Sequence, residues 1–351
     1  MNITVTGIEN INLLRTADIP GLNWRGFQGE ADYPKILAVL EGSRLVDGVE
    51  WVETLEDIAN TYAHLHHCDP KQDMLFAEIN GEVVGYCRAW WALEGSGTYI
   101  GFQLGHVLPQ WRHKGIGSTL LRFSEERHSQ IATALKESGQ IPPDTACLLD
   151  TFVRSGEVER SALLERRGYQ VVRYANDMLR PDLENIPDLP LPPGVEVRPV
   201  QPEHVRLIWE ATNEAFRDHW GYIPDPWEEF ERLQNESDFD PTLWRVAWQG
   251  DQVAGMVLSF INKEENKVNG RKRGYTENIC VRRPWRKQGL AKALIALSLR
   301  ALKERGMTEA GLGVDAENTS GALHLYEHMG FRVIKRNTIY RKQLNVGTIE
   351  Q

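Results

Sequence analysis

The chain has 351 residues, a net charge of −9 and 41% apolar side chains. That length suits about two domains with real cores, and the acidic balance argues against a general nucleic-acid binder, which needs a basic surface. No run of 18 apolar residues and no basic-then-apolar leader occurs, so the expectation is a cytoplasmic protein with neither a membrane span nor a signal peptide.

In chain order, Asn2 to Leu14 can supply a strand, and Tyr33–Leu45 and Leu55–His66 read as helices. Thr54 with Asp57 three residues on is an acidic variant of the capping box. His64, His66, His67 and Cys68 have the residue types of a zinc site, but no second Cys/His pair follows. Without that pair the stretch reads as a polar helix end, and no metal is expected. The four cysteines are widely spaced and form no C-x-x-C, which fits a reduced compartment. Asn80-Gly81 lies between two apolar runs, 75–79 and 83–87, and signals a tight hairpin. A strand over Thr98–Val107 then leads into Trp111-Arg112-His113-Lys114-Gly115-Ile116-Gly117, the start of a helix.

The stretch 181–194 is rich in proline and reads as a stiff linker. Beyond it the series begins again. A strand over Val195–Arg198 precedes helices near His204–Phe216 and Pro226–Asn235, then strands near Trp244–Trp248 and Val253–Phe260. Tyr275–Val281 reads as a strand, Arg282–Trp285 as a connection, and Leu290, Leu294, Leu297 and Ala301 as one face of a helix. Val281, Trp285, Arg286, Gly289 and Ala291 repeat Val107, Trp111, Arg112, Gly115 and Gly117 at a constant spacing, and Gly330-Phe331 repeats Gly168-Tyr169. An ordered repeat of this kind implies duplication. The expected fold is α/β, with two tandem domains, each a mixed central sheet flanked by helices. The expected partition is a first domain over 1–180, a linker over 181–194 and a second domain over 195–345.

A strand, a basic turn and a helix N-terminus together make an anion cradle. The first N–H groups of a helix have no internal partner and carry the positive end of its dipole. Neither the three-glycine dinucleotide fingerprint nor the Gly-Lys-Ser/Thr of a P-loop is present. The pattern R-x-x-G-x-A over Arg286–Ala291 is followed by Asn318, then by Tyr326 with Gly330-Phe331. In that order they resemble the GNAT superfamily of N-acyltransferases, and the tandem arrangement resembles the mycothiol synthase group within it.

The resemblance implies an acetyl-CoA-dependent N-acetyltransferase that moves the acyl group to a primary amine by direct attack in the second domain. Acetyl-CoA would be the acyl-donor substrate. Ile279, Cys280 and Val281 would offer backbone to the pantetheine arm. Arg286, Lys287, Gln288, Gly289, Leu290 and Ala291 would cradle the pyrophosphate, and Asn318 would hold the pantetheine amide or cap a helix. A protonated amine needs a base and a departing thiolate needs an acid. Glu277 is expected as the base, on the strand face shared with Ile279 and Val281; Tyr326 is expected as the acid. His219, Trp220 and Tyr222 would lie beside the entering acceptor, a small-molecule amine. In the first copy Leu164 takes the place of Tyr326, Gly156 that of Asn318 and Gln103 that of Glu277, so that copy is expected not to catalyse. The alternatives are a non-enzymatic acyl-CoA sensor and an aminoacyl transferase of related tandem fold; the acidic charge disfavours the second. The chain is expected as a monomer or homodimer, without nucleic-acid or membrane partners.

Overall fold

The computed structural model describes residues 19–318 and 321–346. The strand expected over Asn2–Leu14 lies outside the described residues. The chain forms two compact units, and their boundaries do not follow the linear partition of the repeat. Among the described residues, the first gathers 19–172 with 338–346; the second holds 173–318 with 321–337.

In the first unit, β1 (Leu22–Arg25) is followed by α1 (Tyr33–Arg44), α2 (Leu55–Ala63) and the single turn α3 (Pro70–Asp73). The capping box expected at α2 is present: Thr54 Oγ1 accepts from the Asp57 N–H, and the Asp57 carboxylate accepts from the Thr54 N–H. The hairpin β2 (Met74–Ile79) and β3 (Glu82–Leu93) turns at Asn80-Gly81. Both turn residues have positive φ, 52° and 87°, the geometry that matches the strand twist. Next come β4 (Tyr99–Val107), α4 (Ile116–Glu137), β5 (Cys147–Val153) and α5 (Val158–Arg166). The sheet pairs β1, β2, β3 and β4 antiparallel in turn, then β4 with β5 in parallel. Its last ladder joins β5 to Thr338–Gln343, residues from the far end of the chain.

The second unit repeats the plan. It begins with part of β6 (Gln170–Arg180), which leaves the first unit at Arg173. There follow β7 (Glu196–Arg198), α6 (Val205–Phe216), α7 (Trp227–Gln234), β8 (Arg245–Gln249), β9 (Gln252–Phe260), α8 (Lys263–Val268), β10 (Arg273–Val281), α9 (Leu290–Glu304), β11 (Glu309–Asp315), α10 (Ala322–His328) and the start of β12 (Arg332–Gln343), whose residues from Thr338 on belong to the first unit. The pairs β7/β8, β8/β9 and β9/β10 are antiparallel and β10/β11 is parallel. The ladder that closes this sheet pairs β11 with Ala175–Arg180 of β6.

By sequence β6 ends the first repeat, yet its C-terminal half is a strand of the second unit. The side chains of a strand give no sign of which sheet edge it will extend. Backbone pairing decides this, and backbone pairing is almost blind to side chains.

The expected linker is also a packed element. Leu183 is buried, and Ile186, Leu189 and Leu191 pack on the cluster formed by Leu294, Leu299 and Leu302 of α9. Arg300 donates to the Pro187 carbonyl and to Asp188. Its prolines stiffen a strap laid on the second unit rather than a free spacer. On α9 the buried face runs through Leu290, Leu294, Ser298 and Ala301, while Leu297 is only half-buried.

Candidate active site

Two departures from regular pairing in the second unit create the site. The first is where β10 leaves β11. The parallel ladder stops at Tyr275 opposite Gly311, although β10 continues to Val281 and β11 to Asp315. Beyond that point the β11-facing edge of β10 is free of a strand partner, so the backbone of residues 278–281 is available to a ligand.

The second departure is a bulge. Glu277 lies opposite Leu258 and Cys280 opposite Met256, so three steps on β10 match two on β9. Asn278 takes φ 48°, a left-handed conformation that asparagine tolerates better than most residues. The extra residue reverses the alternation. Glu277 therefore shares its face with Cys280, Met256 and Leu258, and not with Ile279 and Val281 as period two implied. The first unit has no such bulge: β3 and β4 pair without a break from Gly85/Val107 to Leu93/Tyr99. Counted along the ladders, the counterpart of Glu277 is Leu104 rather than Gln103, because both lie three pairs from the matching glycines, Gly255 and Gly85.

A cleft of about 650 Å³ opens at this place. Its walls include Ile279, Cys280 and Val281 from β10; Arg286, Lys287, Gly289, Leu290 and Ala291 from the turn and start of α9; and Asn318 and Tyr326. The turn is shaped by Lys287 at φ 62° and by Gly289, the N-cap of α9, at φ 85°. A Cβ built on Gly289 would meet no atom within 4 Å. The cradle in front of the helix is thus open space that a glycine keeps clear, as an incoming phosphate requires.

Three expected residues are placed differently. The Arg286 guanidinium is already engaged, by Nε to the Val281 carbonyl at 2.9 Å, by Asp218 at 3.1 Å and by the Ala215 carbonyl at 3.2 Å. It braces the turn, and the exposed Lys287 and Lys292 also line the cleft. Gln288 does not line the cleft, because its amide donates back to Pro284. Asn318 does not cap a helix, since α10 begins at Ala322 with Gly321 as its N-cap; Asn318 faces the cleft.

Glu277 sits beside the cleft wall, half-buried, where its Oε1 accepts from the Gly313 N–H at 3.0 Å. Burial pushes its carboxyl up to about 7, with the charge of Asp177 adding to the rise and the Gly313 bond opposing it. Tyr326 is 6% exposed and packs edge-on against Phe331. Burial raises its phenol above the ordinary value of 10, helped by the nearby charges of Glu277 and Cys280. One acid is thus poised to ionise near neutral pH, and one phenol stays protonated there.

The loop after α6 contributes Asp218, His219 and Trp220 to the cleft. His219 meets Phe216 edge-on, and burial lowers its imidazole below the usual range. Tyr222 turns away and donates to Asn213. Arg173 is a wall residue that the sequence reading missed. It forms a bidentate pair with Asp315 at 2.7–3.0 Å and lies over the Trp220 ring at 5.0 Å. Its place in β6, before the linker, concealed it.

The first unit has its own cavity, about 360 Å³, at the matching position. Gly115 caps α4 with φ 88°, and His113 takes φ 58°, repeating Gly289 and Lys287. Arg112 is held by Asp47 at 2.7 and 2.8 Å and by Glu159 at 3.1 Å. Leu104 and the buried Leu164 stand where the second unit has Glu277 and Tyr326.

The parted parallel strands, the bulge and the helix N-terminus kept clear by Gly289 together leave an open cleft with a place for an anion. The chain belongs to the GNAT acetyltransferases: residues 205–331 match the acetyltransferase (GNAT) family and residues 70–171 match an acetyltransferase (GNAT) domain. It is a tandem-domain, acetyl-CoA-dependent N-acetyltransferase. It is 27% identical over 302 residues to a mycothiol acetyltransferase of Geodermatophilus obscurus, covering 84% of this chain and 89% of that one. To the mycothiol acetyltransferase of Frankia alni it is 27% identical over 334 residues, covering 91% and 94%. Among solved structures it resembles a GCN5-related N-acetyltransferase from Sphaerobacter thermophilus, with a TM-score of 0.67, 25% identity and coverage of 95% and 98%. A tandem GNAT protein from the clavulanic acid biosynthesis pathway shares the fold, with a TM-score of 0.66, 13% identity and coverage of 93% and 100%. No helix among the described residues is long and apolar enough to cross a membrane.

Proposed function

We propose that the second unit is the catalytic one, and that it transfers the acetyl group to the primary amine of a small molecule by direct attack on the thioester. The observation that carries this reading is that Tyr326 lines the cleft with Ile279, Cys280 and Val281 while Glu277 stands at the bulge of the same strand, close enough for its charge to act on the phenol.

A lysine-like amine is protonated at pH 7 and cannot attack until it loses a proton. Glu277, titrating near 7, takes that proton directly or through one water. The nitrogen lone pair then forms the bond to the acyl carbon as the carbon–sulfur bond breaks, and the second proton on that nitrogen passes to solvent to leave the neutral amide. Tyr326 gives its phenolic proton to the departing sulfur, and solvent restores it. Ile279 and Val281 offer main-chain groups to the pantetheine arm, while Lys287 and the first N–H groups of α9 receive the pyrophosphate. The name carried by the similar mycothiol acetyltransferases supports a small-molecule acceptor, which would enter past His219 and Trp220.

Glu277→Gln and Tyr326→Phe preserve shape and remove the chemistry. Each is expected to lower kcat by roughly 10²–10⁴-fold, the usual contribution of a general acid or base, with little change in acetyl-CoA affinity. Free-thiol release across a panel of amines measures the first, and calorimetry the second. Native kcat in either variant would remove that residue from the mechanism.

A further inference from the structure

A second carboxylate stands behind the one assigned as base. Asp177 of β6 is the ladder partner of Gly313 on β11, and the Gly313 N–H is the group that binds Glu277. The two acidic side chains are thus brought to the same glycine, one from each neighbouring strand. A Cβ at Gly313 would lie 3.8 Å from Glu277 Oε1, an ordinary contact distance, so the Glu277 carboxylate lies on the side of the sheet to which position 313 would point a side chain. Asp177 is itself fixed, because the buried Asn337 donates from Nδ2 to its Oδ1 at 2.8 Å. Building two carboxylates around one backbone N–H is costly unless their repulsion is used, since each disfavours ionisation of the other.

We propose that Asp177, held by Asn337, is a positioning residue that keeps Glu277 a strong enough base to work at neutral pH. This rests on Glu277 being the base. The other charged groups around Glu277 are committed elsewhere. Asp315, two residues along β11, is paired with Arg173. Tyr275, on the Glu277 side of β10, donates to Glu265, which is also paired with Arg271. Tyr326 stays protonated, and burial pushes the Cys280 thiol up to about 12. Asp177, fixed by Asn337, is the neighbouring carboxylate whose charge acts on Glu277. It comes from the strand that by sequence ends the first repeat, so the duplicated chain supplies part of its own second site.

The test is the pH profile of kcat/KM in the full-length enzyme with acetyl-CoA and a turned-over amine. Removing the charge lowers the pKa of Glu277, so the base form persists to lower pH. Asp177→Asn should move the acidic limb down by on the order of one pH unit, while the plateau rate stays within a few-fold. Asp177→Glu, which retains the charge, should restore the limb. Asp177→Ser carries the same expectation as the amide and serves if the amide does not fold. A limb that stays in place in folded Asp177→Asn or Asp177→Ser, in an enzyme whose Glu277→Gln variant is inactive, overturns this role and leaves the base assignment standing. Native activity in Glu277→Gln overturns both. A merely structural Asp177 would lower the plateau and leave the limb unmoved.

Discussion

Glu277 shows how one residue is made useful at a cost to the fold. Its carboxyl titrates near 7 in place of 4.5 because burial penalises the charged form. Between those values the folded chain holds a proton that the unfolded chain has lost, so stability falls as pH rises through that window. The penalty is fully present above 7 and absent below 4.5. Glu277→Gln, neutral at every pH, should therefore melt at a higher temperature than the native enzyme at about pH 8, with the gap closing at about pH 4. Thermal melts of both proteins at the two pH values check this; an equal gap would mean that burial of the charge costs nothing. On the proposed mechanism the same titration sets the rate: activity should fall as pH drops through about 7, where Glu277 gains its proton. Tyr326, raised above 10, should add no alkaline limb at moderately basic pH.

At the scale of elements, the join between β10 and α9 is the proposed donor site. Gly289 is the point where the chain turns from strand to helix, and its φ of 85° lies in a region that costs an L-residue roughly 1–2 kcal/mol. Gly289→Ala should lower stability by about that amount and keep most acyl-CoA affinity, since open space surrounds the new methyl group. Gly289→Glu should lose the same stability and also abolish acyl-CoA binding, because it places a carboxylate in the mouth of the cradle. Denaturant melts give the first quantity and calorimetry the second. Equal affinity in the two variants would mean that the phosphates bind elsewhere. The G-F pair after Tyr326 has a separate structural reason. Gly330 takes φ 86°, and Arg180 fills the space where its Cβ would be, donating to the Met329 carbonyl.

For the whole molecule, the consequence lies in the strands at the ends of the two repeats. A fragment cut at the linear boundary, residues 195–345, would lack Ala175–Arg180, which close the β11 ladder, and Arg173, which binds Asp315. It would also lack Leu183 and the strap on α9. Such a fragment should have an unpaired edge at β11 and fail to melt cooperatively. It should show no turnover, and co-expression with residues 1–194 should restore both properties. Circular dichroism and thiol release measure them. A stable, active 195–345 fragment would show that β6 contributes nothing the second unit needs.

Much of this was present in the amino-acid order. The repeat, the mixed α/β plan, the Asn80-Gly81 hairpin and the Thr54 cap rest on local chemistry: residues that tolerate positive φ, side chains that satisfy helix ends, and apolar periods that match one element. The Gly289 turn, Asn318 and Tyr326 were legible through their resemblance to the GNAT pattern, and all three line the cleft. What tertiary structure alone decided depends on which strands lie side by side. The bulge at Asn278 turned Glu277 to the other face, a one-residue change in register that no period in the sequence marks. The Arg286 guanidinium proved to be spent on Asp218, 68 residues away. Arg173 and Asp177 reached the site because backbone ladders joined β6 to β11, and hydrogen bonds between main-chain groups carry almost no trace of the side chains beside them.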